Sequence, residues 1–281
     1  MKLMSFVTPD DRSTYGVATE TGVIDLAPRL GVADLRELLA SDDWRASIGR
    51  HAGAPIDFTF GQVRHRPVIP NPGKVVCVGL NYEDHRLEAG LPRTDHPALF
   101  LRTADSQTAH LADMVRPRES ESFDYEAELA VVIGRPGRRI APSEALDHVA
   151  GYACYNDGSV RLYQRHTQQY TAGKIFPQTG SFGPWMVTTD DIRDPFGLDV
   201  SCRLNGERVQ HANTDQMIFS VPELIAYIST ATPLSPGDVI VTGTPAGVGS
   251  RRSPQLWMKP GDRVEVEIEG IGLLANTIAD D

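Results

Sequence analysis

The sequence predicts an α+β protein that is mainly β, with a small N-terminal α+β domain followed by a larger, mainly β domain. Two observations support this prediction. Short apolar runs with strand-like alternation recur along most of the chain, and turn residues separate them. One proline-rich stretch, RPVIPNPGK at 66–74, interrupts this pattern early and is incompatible with regular structure. A chain of 281 residues is long enough for two unequal parts.

The N-terminal part contains three strand-like runs, LMSFV, TYGVATE and GVIDL. Helix-forming sequence follows around 33–49, and periodicity is then lost up to the proline-rich stretch. We therefore place a domain boundary near residue 70. Residues 1–70 are predicted to form a small accessory domain, and residues 71–281 the larger domain.

The larger domain is predicted to be rich in strands, with one clear helix. Asn205-Gly206 separates two alternating runs, which favours a type I′ β-hairpin over 198–210. Pro-Gly-Asp triplets at 236–238 and 260–262 indicate tight turns before strands. Ser220 is a suitable helix cap, and an apolar stripe for core packing follows it, formed by Leu224, Ile225 and Ile228.

Charge and hydropathy exclude several classes of partner. The formal net charge of −10 disfavours nucleic acid and anionic membrane surfaces. No apolar run approaches the ~20 residues of a transmembrane helix, and Pro9 interrupts any signal-peptide core. We expect a cytoplasmic protein with no nucleic-acid and no membrane partner. The three cysteines are interpreted as buried small hydrophobic residues, with a nucleophilic cysteine as the alternative.

Two glutamates mark a candidate cation site on the run 124–134. Period-two alternation places Glu126 and Glu128 on one face of a strand, about 7 Å apart, where they repel unless a cation lies between them. The alternative is an amphipathic strand with a solvated acidic face. Ala130 and Val132 continue the same face as apolar residues, which favours burial and therefore a counter-ion.

A third carboxylate, Asp157, stands where the apolar run VAGYACYN ends and a helix-compatible run begins. Such junctions often carry function, but Asp is also a good helix N-cap, and both interpretations stay open here. Three hard oxygen donors without an adjacent cysteine favour Mg²⁺ or Mn²⁺. We therefore predict a divalent-metal site formed by Glu126, Glu128 and Asp157.

Six segments, in this order along the chain, resemble the motifs of the fumarylacetoacetate hydrolase family. They are GLNYEDHRLEAG at 79–90, FDYEAELAVVIG at 123–134, YNDGSVRLYQ at 155–164, GKIFPQTGSFGPW at 173–185, VTGTPAGVG at 241–249 and KPGDRVEVEIEGIG at 259–272. The resemblance covers about residues 70–281. It implies the family's mixed β-sandwich roll as the catalytic domain, a homodimer, and the same three carboxylates as metal ligands.

The resemblance also implies a catalytic set. His85 and Glu88 match the family's His-Glu dyad, in which the carboxylate orients an imidazole that activates water. Without that context, the same spacing would more often be an exposed helical ion pair. Lys174 matches the lysine that stabilises negative charge on the substrate or holds its carboxylate.

Four further residues resemble substrate contacts of the family. Arg161 and Gln164 follow Asp157 at helical spacing, and Thr244 resembles a carboxylate-binding hydroxyl. Arg102 stands where a lysine is frequent and would offer a bidentate grip on a substrate carboxylate. Pro177 replaces an aspartate that many relatives carry near the lysine, which weakens any transfer of substrate specificity.

Together these features predict a metal-dependent hydrolase that cleaves a C–C bond in acylpyruvate-type β-diketo acids, such as fumarylpyruvate or maleylpyruvate. The alternatives are an oxaloacetate decarboxylase and an isomerase or hydratase of 2-oxo-dienoic acids in aromatic catabolism. A binding protein that keeps the carboxylates without turnover is a third interpretation, which the presence of both His85 and Glu88 disfavours.

Overall fold

The N-terminal 70 residues form short strands and helices in the computed structural model, which describes residues 1–281. The three strands and the helical region expected there are present. The elements are β1 (Lys2–Val7), β2 (Ser13–Ala18), β3 (Gly22–Asp25), α1 (Ala27–Leu30), α2 (Leu35–Leu39), α3 (Trp44–Gly49), β4 (Phe58–Thr59) and β5 (Arg64–His65).

The remaining chain is dominated by strands, as expected. Its first half contains β6 (Val75–Gly79), α4 (Glu83–Ala89), β7 (Ala98–Arg102), β8 (Gln107–Thr108), β9 (Met114–Arg116), β10 (Phe123–Asp124), β11 (Ala127–Ile133), β12 (Val149–Asn156), β13 (Ser159–Val160) and α5 (Arg161–Gln164). Its second half contains β14 (Gly180–Thr188), β15 (Asp199–Leu204), β16 (Glu207–Asn213), α6 (Val221–Ala231), β17 (Val239–Val241), β18 (Arg263–Ile268) and β19 (Gly272–Asp280). Short 3₁₀ helices connect several of these elements.

Two sheets form the β-sandwich. The large sheet has the order β4-β3-β2-β1-β14-β12-β11-β17-β6-β7, with β5 paired to β1 and β8 paired to β14. The small sheet has the order β16-β15-β18-β19-β9, and β10 pairs with β13 apart from both. Apolar residues of β11 and β12 pack with those of β15, β18 and β19 in one core. The predicted α+β, mainly β fold is confirmed.

The N-terminal strands extend the large sheet. Strand β1 pairs with β14 in antiparallel register, with Leu3 opposite Met186. A second core joins Trp44 and Ile48 of α3 to Ala130 and Val132 on the outer face of β11. The first 70 residues therefore share both a sheet and a core with the rest of the chain, and the boundary near residue 70 stays a prediction.

Strand β11 is buried on both faces, which explains its nearly continuous apolar sequence. Leu129 and Val131 contribute to the core between the sheets, whereas Ala130 and Val132 contribute to the core under the N-terminal helices. The predicted alternation is confirmed. The alternative of a solvated acidic face is wrong, because Glu126 and Glu128 are only 5% and 2% exposed.

Local predictions elsewhere are also confirmed. Asn205 and Gly206 have φ of 53° and 83°, as a type I′ hairpin turn between β15 and β16 requires. Ser220 and Glu223 form a capping box at the start of α6. All three cysteines are free and buried. The longest helix, α6, has 11 residues, and none of the helices has the length and apolarity that crossing a bilayer requires.

Two histidines meet at the junction between β5 and the rest of the protein. The rings of His65 and His110 lie 4.8 Å apart between centroids, and His110 Nδ1 accepts a hydrogen bond from the Ala275 backbone. Burial lowers the pKa of both residues, and that of His110 falls to about 4. Both rings are therefore neutral in the folded protein near neutral pH.

This pair predicts an acid-sensitive junction. Since the folded-state pKa of His110 lies below its unfolded value, the unfolded state binds more protons, and stability is lost as pH falls from about 6.5 to about 4. His110→Asn keeps an acceptor for Ala275. In the wild type, protonation of His110 should lower the unfolding free energy by on the order of 2 kcal/mol between pH 7 and pH 4.5. The variant should lack this contribution. Urea unfolding at both pH values measures this, with the exposed His211→Asn as control. Equal pH dependence in wild type and His110→Asn would contradict it.

Candidate active site

The pairing of β11 with β12 brings the predicted metal ligands together. Ala127 pairs with Asn156, so Glu126 and Asp157 lie opposite each other at the end of the two strands. The backbone N–H of Asp157 donates to the Glu126 carbonyl over 2.8 Å. One carboxylate oxygen from each of Glu126, Glu128 and Asp157 lies within 4.8 Å of the others, and all three side chains are buried.

Three cations hold two of these carboxylates, those of Glu126 and Asp157. Lys174 Nζ lies 2.6 Å from both Glu126 Oε2 and Asp157 Oδ2, and it also donates to the Asp157 carbonyl over 3.3 Å. Arg102 Nη1 donates to Asp157 Oδ1 over 2.6 Å, and Arg161 Nη2 lies 2.6 Å from Glu126 Oε1. The ammonium of Lys174 is therefore committed to protein oxygens, and its charge acts mainly by holding the carboxylates of Glu126 and Asp157 in place.

Glu128 differs from the other two carboxylates because it has no cationic partner. Its Oε2 accepts a hydrogen bond from the Gly243 backbone over 2.5 Å. Burial, together with the charges of Asp157 and Glu126, raises the pKa of Glu128. For Glu126, burial acts in the same direction, but Arg161 and Lys174 outweigh it and lower the pKa to about 2. The repulsion in the cluster is therefore concentrated on Glu128.

The cluster fits a divalent cation. Three buried cations face four buried carboxylates, so one negative charge remains when all four are ionised, as metal binding requires. These carboxylates are those of Asp124, Glu126, Glu128 and Asp157. The donors are hard oxygens of the kind that Mg²⁺ and Mn²⁺ prefer. Each carboxylate oxygen offers more than one lone pair, so the existing ion pairs leave room for a further ligand bond. Glu126, Glu128 and Asp157 would hold the ion.

The His-Glu pair lies on helix α4, next to the carboxylates. His85 Nδ1 is 3.2 Å from Glu88 Oε2, as the i,i+3 spacing predicted. Both oxygens of Glu88 also accept from the Gly247 backbone, over 3.1 and 3.2 Å. This pair is not an exposed surface ion pair, because the His85 side chain is only 10% exposed. Glu88 is thus fixed to the loop after β17 and orients the imidazole.

One cavity of about 310 Å³ joins these groups. Its lining includes His85, Glu126, Glu128 and Lys174, and also Arg161, Gln164 and Thr244. Arg161 Nη1 donates to Gln164 Oε1 over 2.8 Å, so these two side chains form one polar wall. The Thr244 hydroxyl donates to the Ala127 carbonyl and accepts from Gln210, so its only proton is already used within the protein.

The structure corrects two expectations from the sequence. Arg102 was expected to grip a substrate carboxylate, but its side chain is fully buried behind the cluster and does not line the cavity. Its N–H groups are occupied by Asp157 and by four other acceptors on Gly158, Ser106 and Thr179. The interpretation of Asp157 as a helix N-cap is also wrong, since strand β13 intervenes and helix α5 begins after Val160. Pro177 is exposed and lies outside the cavity lining.

Sequence reasoning missed Asp124, which organises the polar wall. Its Oδ2 accepts from Arg161 Nε over 2.8 Å and from the Ser250 backbone over 2.9 Å, and its Oδ1 accepts from the Gly249 backbone over 2.8 Å. Asp124 therefore ties α5 to the turn at 249–251. The sequence did contain a signal for Asp124. It stands two residues before Glu126, so strand alternation places it on the same face as Glu126 and Glu128.

Comparisons with known proteins identify the family of the chain. Residues 74–279 match the family model described as fumarylacetoacetate (FAA) hydrolase C-terminal. The human protein oxaloacetate tautomerase FAHD2A, mitochondrial, is 43% identical over 212 residues, which are 75% of this chain and 68% of that protein. The 2,4-didehydro-3-deoxy-L-rhamnonate hydrolase of Sphingomonas sp. (strain SKA58) is 41% identical over 221 residues, 78% of each chain.

A solved structure is similar over the whole chain, including the N-terminal 70 residues. The maleylpyruvate hydrolase from Sphingobium sp. SYK-6, in complex with manganese(II) ion and pyruvate, has a TM-score of 0.83 and 27% identity. The similarity covers 100% of this chain and 99% of that one. With the family model matched over 74–279 and the fold and carboxylate cluster in place, the chain belongs to the fumarylacetoacetate hydrolase family, whose relatives here include hydrolases and tautomerases.

Proposed function

We propose that this protein is a divalent-metal-dependent hydrolase that cleaves a C–C bond in acylpyruvate-type β-diketo acids, giving pyruvate and a carboxylic acid. One observation carries the proposal: a histidine oriented by a carboxylate lines the same cavity as the carboxylate cluster. The first can activate water, and the second can hold a cation next to the substrate.

The charge balance of the site favours an anionic substrate. The four carboxylates and three cations of the cluster leave one negative charge. A divalent cation would change this to one positive charge, which the carboxylate of a 2-oxo acid would neutralise in a largely buried cavity. When bound, Mg²⁺ or Mn²⁺ supplies Lewis-acid polarisation of the substrate oxygens.

The residues of the chain then account for the proton transfers. Nδ1 of His85 faces Glu88, which leaves Nε2 to accept a proton from water. The hydroxide adds to the acyl carbonyl carbon. The bond between that carbon and the three-carbon unit breaks, and its electron pair leaves with the pyruvate fragment as an enolate. The proton held at Nε2 returns to the terminal carbon of this enolate, which gives pyruvate.

Oxaloacetate tautomerisation is the second candidate, because a relative that is 43% identical carries that name. It needs the same proton transfer at the carbon next to the 2-oxo group, without attack by water. Decarboxylation of oxaloacetate, the alternative from the sequence, also passes through an enolate of pyruvate. The homodimer and the cytoplasmic location implied earlier stay predictions, which sedimentation and cell fractionation would check.

A substrate panel tests the proposal. The purified protein is supplied with Mg²⁺, Mn²⁺ or EDTA and given acetylpyruvate, fumarylpyruvate, maleylpyruvate, fumarylacetoacetate or oxaloacetate. We expect metal-dependent release of pyruvate from an acylpyruvate above the rate of metal alone. Enol-to-keto conversion of oxaloacetate without cleavage of any acylpyruvate would show instead that the second candidate is correct.

Glu128→Gln is expected to weaken the metal site most directly. Loss of an outer-shell partner lowers metal affinity about 10-fold to 100-fold, and loss of a ligand should lower it at least as much. Calorimetric titration with Mn²⁺ measures this, and the exposed Glu207→Gln serves as the matched control. Unchanged Mn²⁺ affinity in Glu128→Gln would exclude the carboxylate as a ligand.

His85→Gln is expected to separate chemistry from metal binding. Loss of the base should reduce kcat on an acylpyruvate by about 10²-fold to 10⁴-fold, with Mn²⁺ affinity unchanged. Glu88→Gln should have a smaller effect, because the amide oxygen can still accept from Nδ1 of His85 and only the negative charge beside the imidazole is lost. The exposed His96→Gln is the control. Full activity in His85→Gln would rule out the proposed base.

A further inference from the structure

The mouth of the active-site cavity carries two arginines to which the reaction gives no role. Arg165 and Arg251 line the same cavity as the carboxylate cluster, but both are exposed, whereas Glu126, Glu128 and Lys174 are buried at its base. The cavity therefore runs from the cluster to a pair of guanidinium groups at the solvent.

These two arginines differ from the other cations of the cavity. Lys174 and Arg161 each contact two carboxylates. Neither Arg165 nor Arg251 forms an ion pair or a side-chain hydrogen bond with the protein. The chain has a net charge of −10, so two positive charges without an ion-pair partner at the entrance to a cavity give that region a charge opposite to that of the whole protein. Burial, together with the charges of Arg161 and Arg251, lowers the pKa of Arg165, as expected for guanidinium groups that lie close together.

The positions of both arginines are fixed by the framework of the active site. Arg165 follows Arg161 by one helical turn, and its backbone N–H donates to the Arg161 carbonyl over 3.2 Å. Arg251 ends the turn at 249–251, whose backbone N–H groups bind Asp124. Because Asp124 also binds Arg161, one buried carboxylate anchors both elements that carry the two arginines.

The cavity also has an apolar lining that is suited to a carbon chain. Phe100, Tyr170, Ala89 and Leu91 line the cavity beside the polar groups. A ligand with its 2-oxo acid end at the base would pass this apolar surface and present its far end to the arginines. Guanidinium groups bind carboxylates with paired, charge-assisted hydrogen bonds.

We propose that Arg165 and Arg251 bind a second carboxylate at the acyl end of the substrate, so that the enzyme selects dicarboxylic 2-oxo acids. The inference builds on the proposed function only in placing the 2-oxo acid at the carboxylate cluster. It distinguishes fumarylpyruvate and maleylpyruvate, which carry a distal carboxylate, from acetylpyruvate, which does not.

Binding without turnover tests this inference separately from the reaction. The Mn²⁺-loaded protein is titrated calorimetrically with 2-oxoadipate and with 2-oxohexanoate, which have the same chain length and differ in the distal carboxylate. We expect 2-oxoadipate to bind about 10-fold to 100-fold more tightly, the range for charged hydrogen bonds. The double variant Arg165→Gln with Arg251→Gln should lose this preference, and its unchanged affinity for 2-oxohexanoate would show that the site is intact.

The exposed Arg138→Gln, which lies outside the cavity lining, is the matched control and should keep the preference. In kinetics, the double variant should raise KM for fumarylpyruvate by a larger factor than KM for acetylpyruvate. Equal affinity of wild type for the two ligands, or a preference that survives in the double variant, would overturn the inference. A preference for 2-oxoadipate without cleavage of any acylpyruvate would support the second carboxylate site and reject the hydrolase function.

Discussion

The ammonium group of Lys174 lies between Glu126 and Asp157, and the geometry of the active site depends on this bridge. Taking a charged group out of water costs several kcal/mol, so buried carboxylates at the end of two paired strands need partners. Lys174, Arg102 and Arg161 supply them, and together they leave only Glu128 without a cation. The protein therefore holds three carboxylates together while concentrating the remaining negative charge where a metal ion would neutralise it.

Strand β11 carries this arrangement because it is buried on both faces. The small sheet covers one face, and the N-terminal helices help to cover the other. A one-residue shift in the register of this strand would move Glu128 from the carboxylate cluster into the apolar core between the sheets, so the position of Glu126 opposite Asp157 is well determined. The N-terminal 70 residues line no part of the cavity, but they contribute to the site by packing against the strand that carries it.

Asp124 has a comparable role for the outer part of the cavity. It binds Arg161 and the turn at 249–251, and so it connects the inner polar wall with the two arginines at the mouth. The charge therefore differs along the cavity. Its base has one excess negative charge, and its mouth has positive charge without an ion-pair partner. With a divalent cation held at the base, both ends of the cavity would be positive, which suits a substrate with acidic groups at both ends. The proposed chemistry requires only the inner one.

The sequence by itself determined the local features of this protein. Period-two alternation identified Glu126 and Glu128 as residues of one face, Asn205-Gly206 defined a hairpin, and the spacing of His85 and Glu88 placed them on one helical face. These predictions succeeded because strand period, positive φ and helical pitch are properties of neighbouring residues.

Only the tertiary structure decided the partners of the buried charges. Arg102 contacts Asp157 from 55 positions away, and Asp124 meets the turn at 249–251 from 125 positions away. No local sequence pattern distinguishes an arginine that pairs with a buried carboxylate from one that binds a substrate, because both roles use the same guanidinium group. The difference lies in which oxygens the fold brings within reach, and that depends on the packing of distant segments.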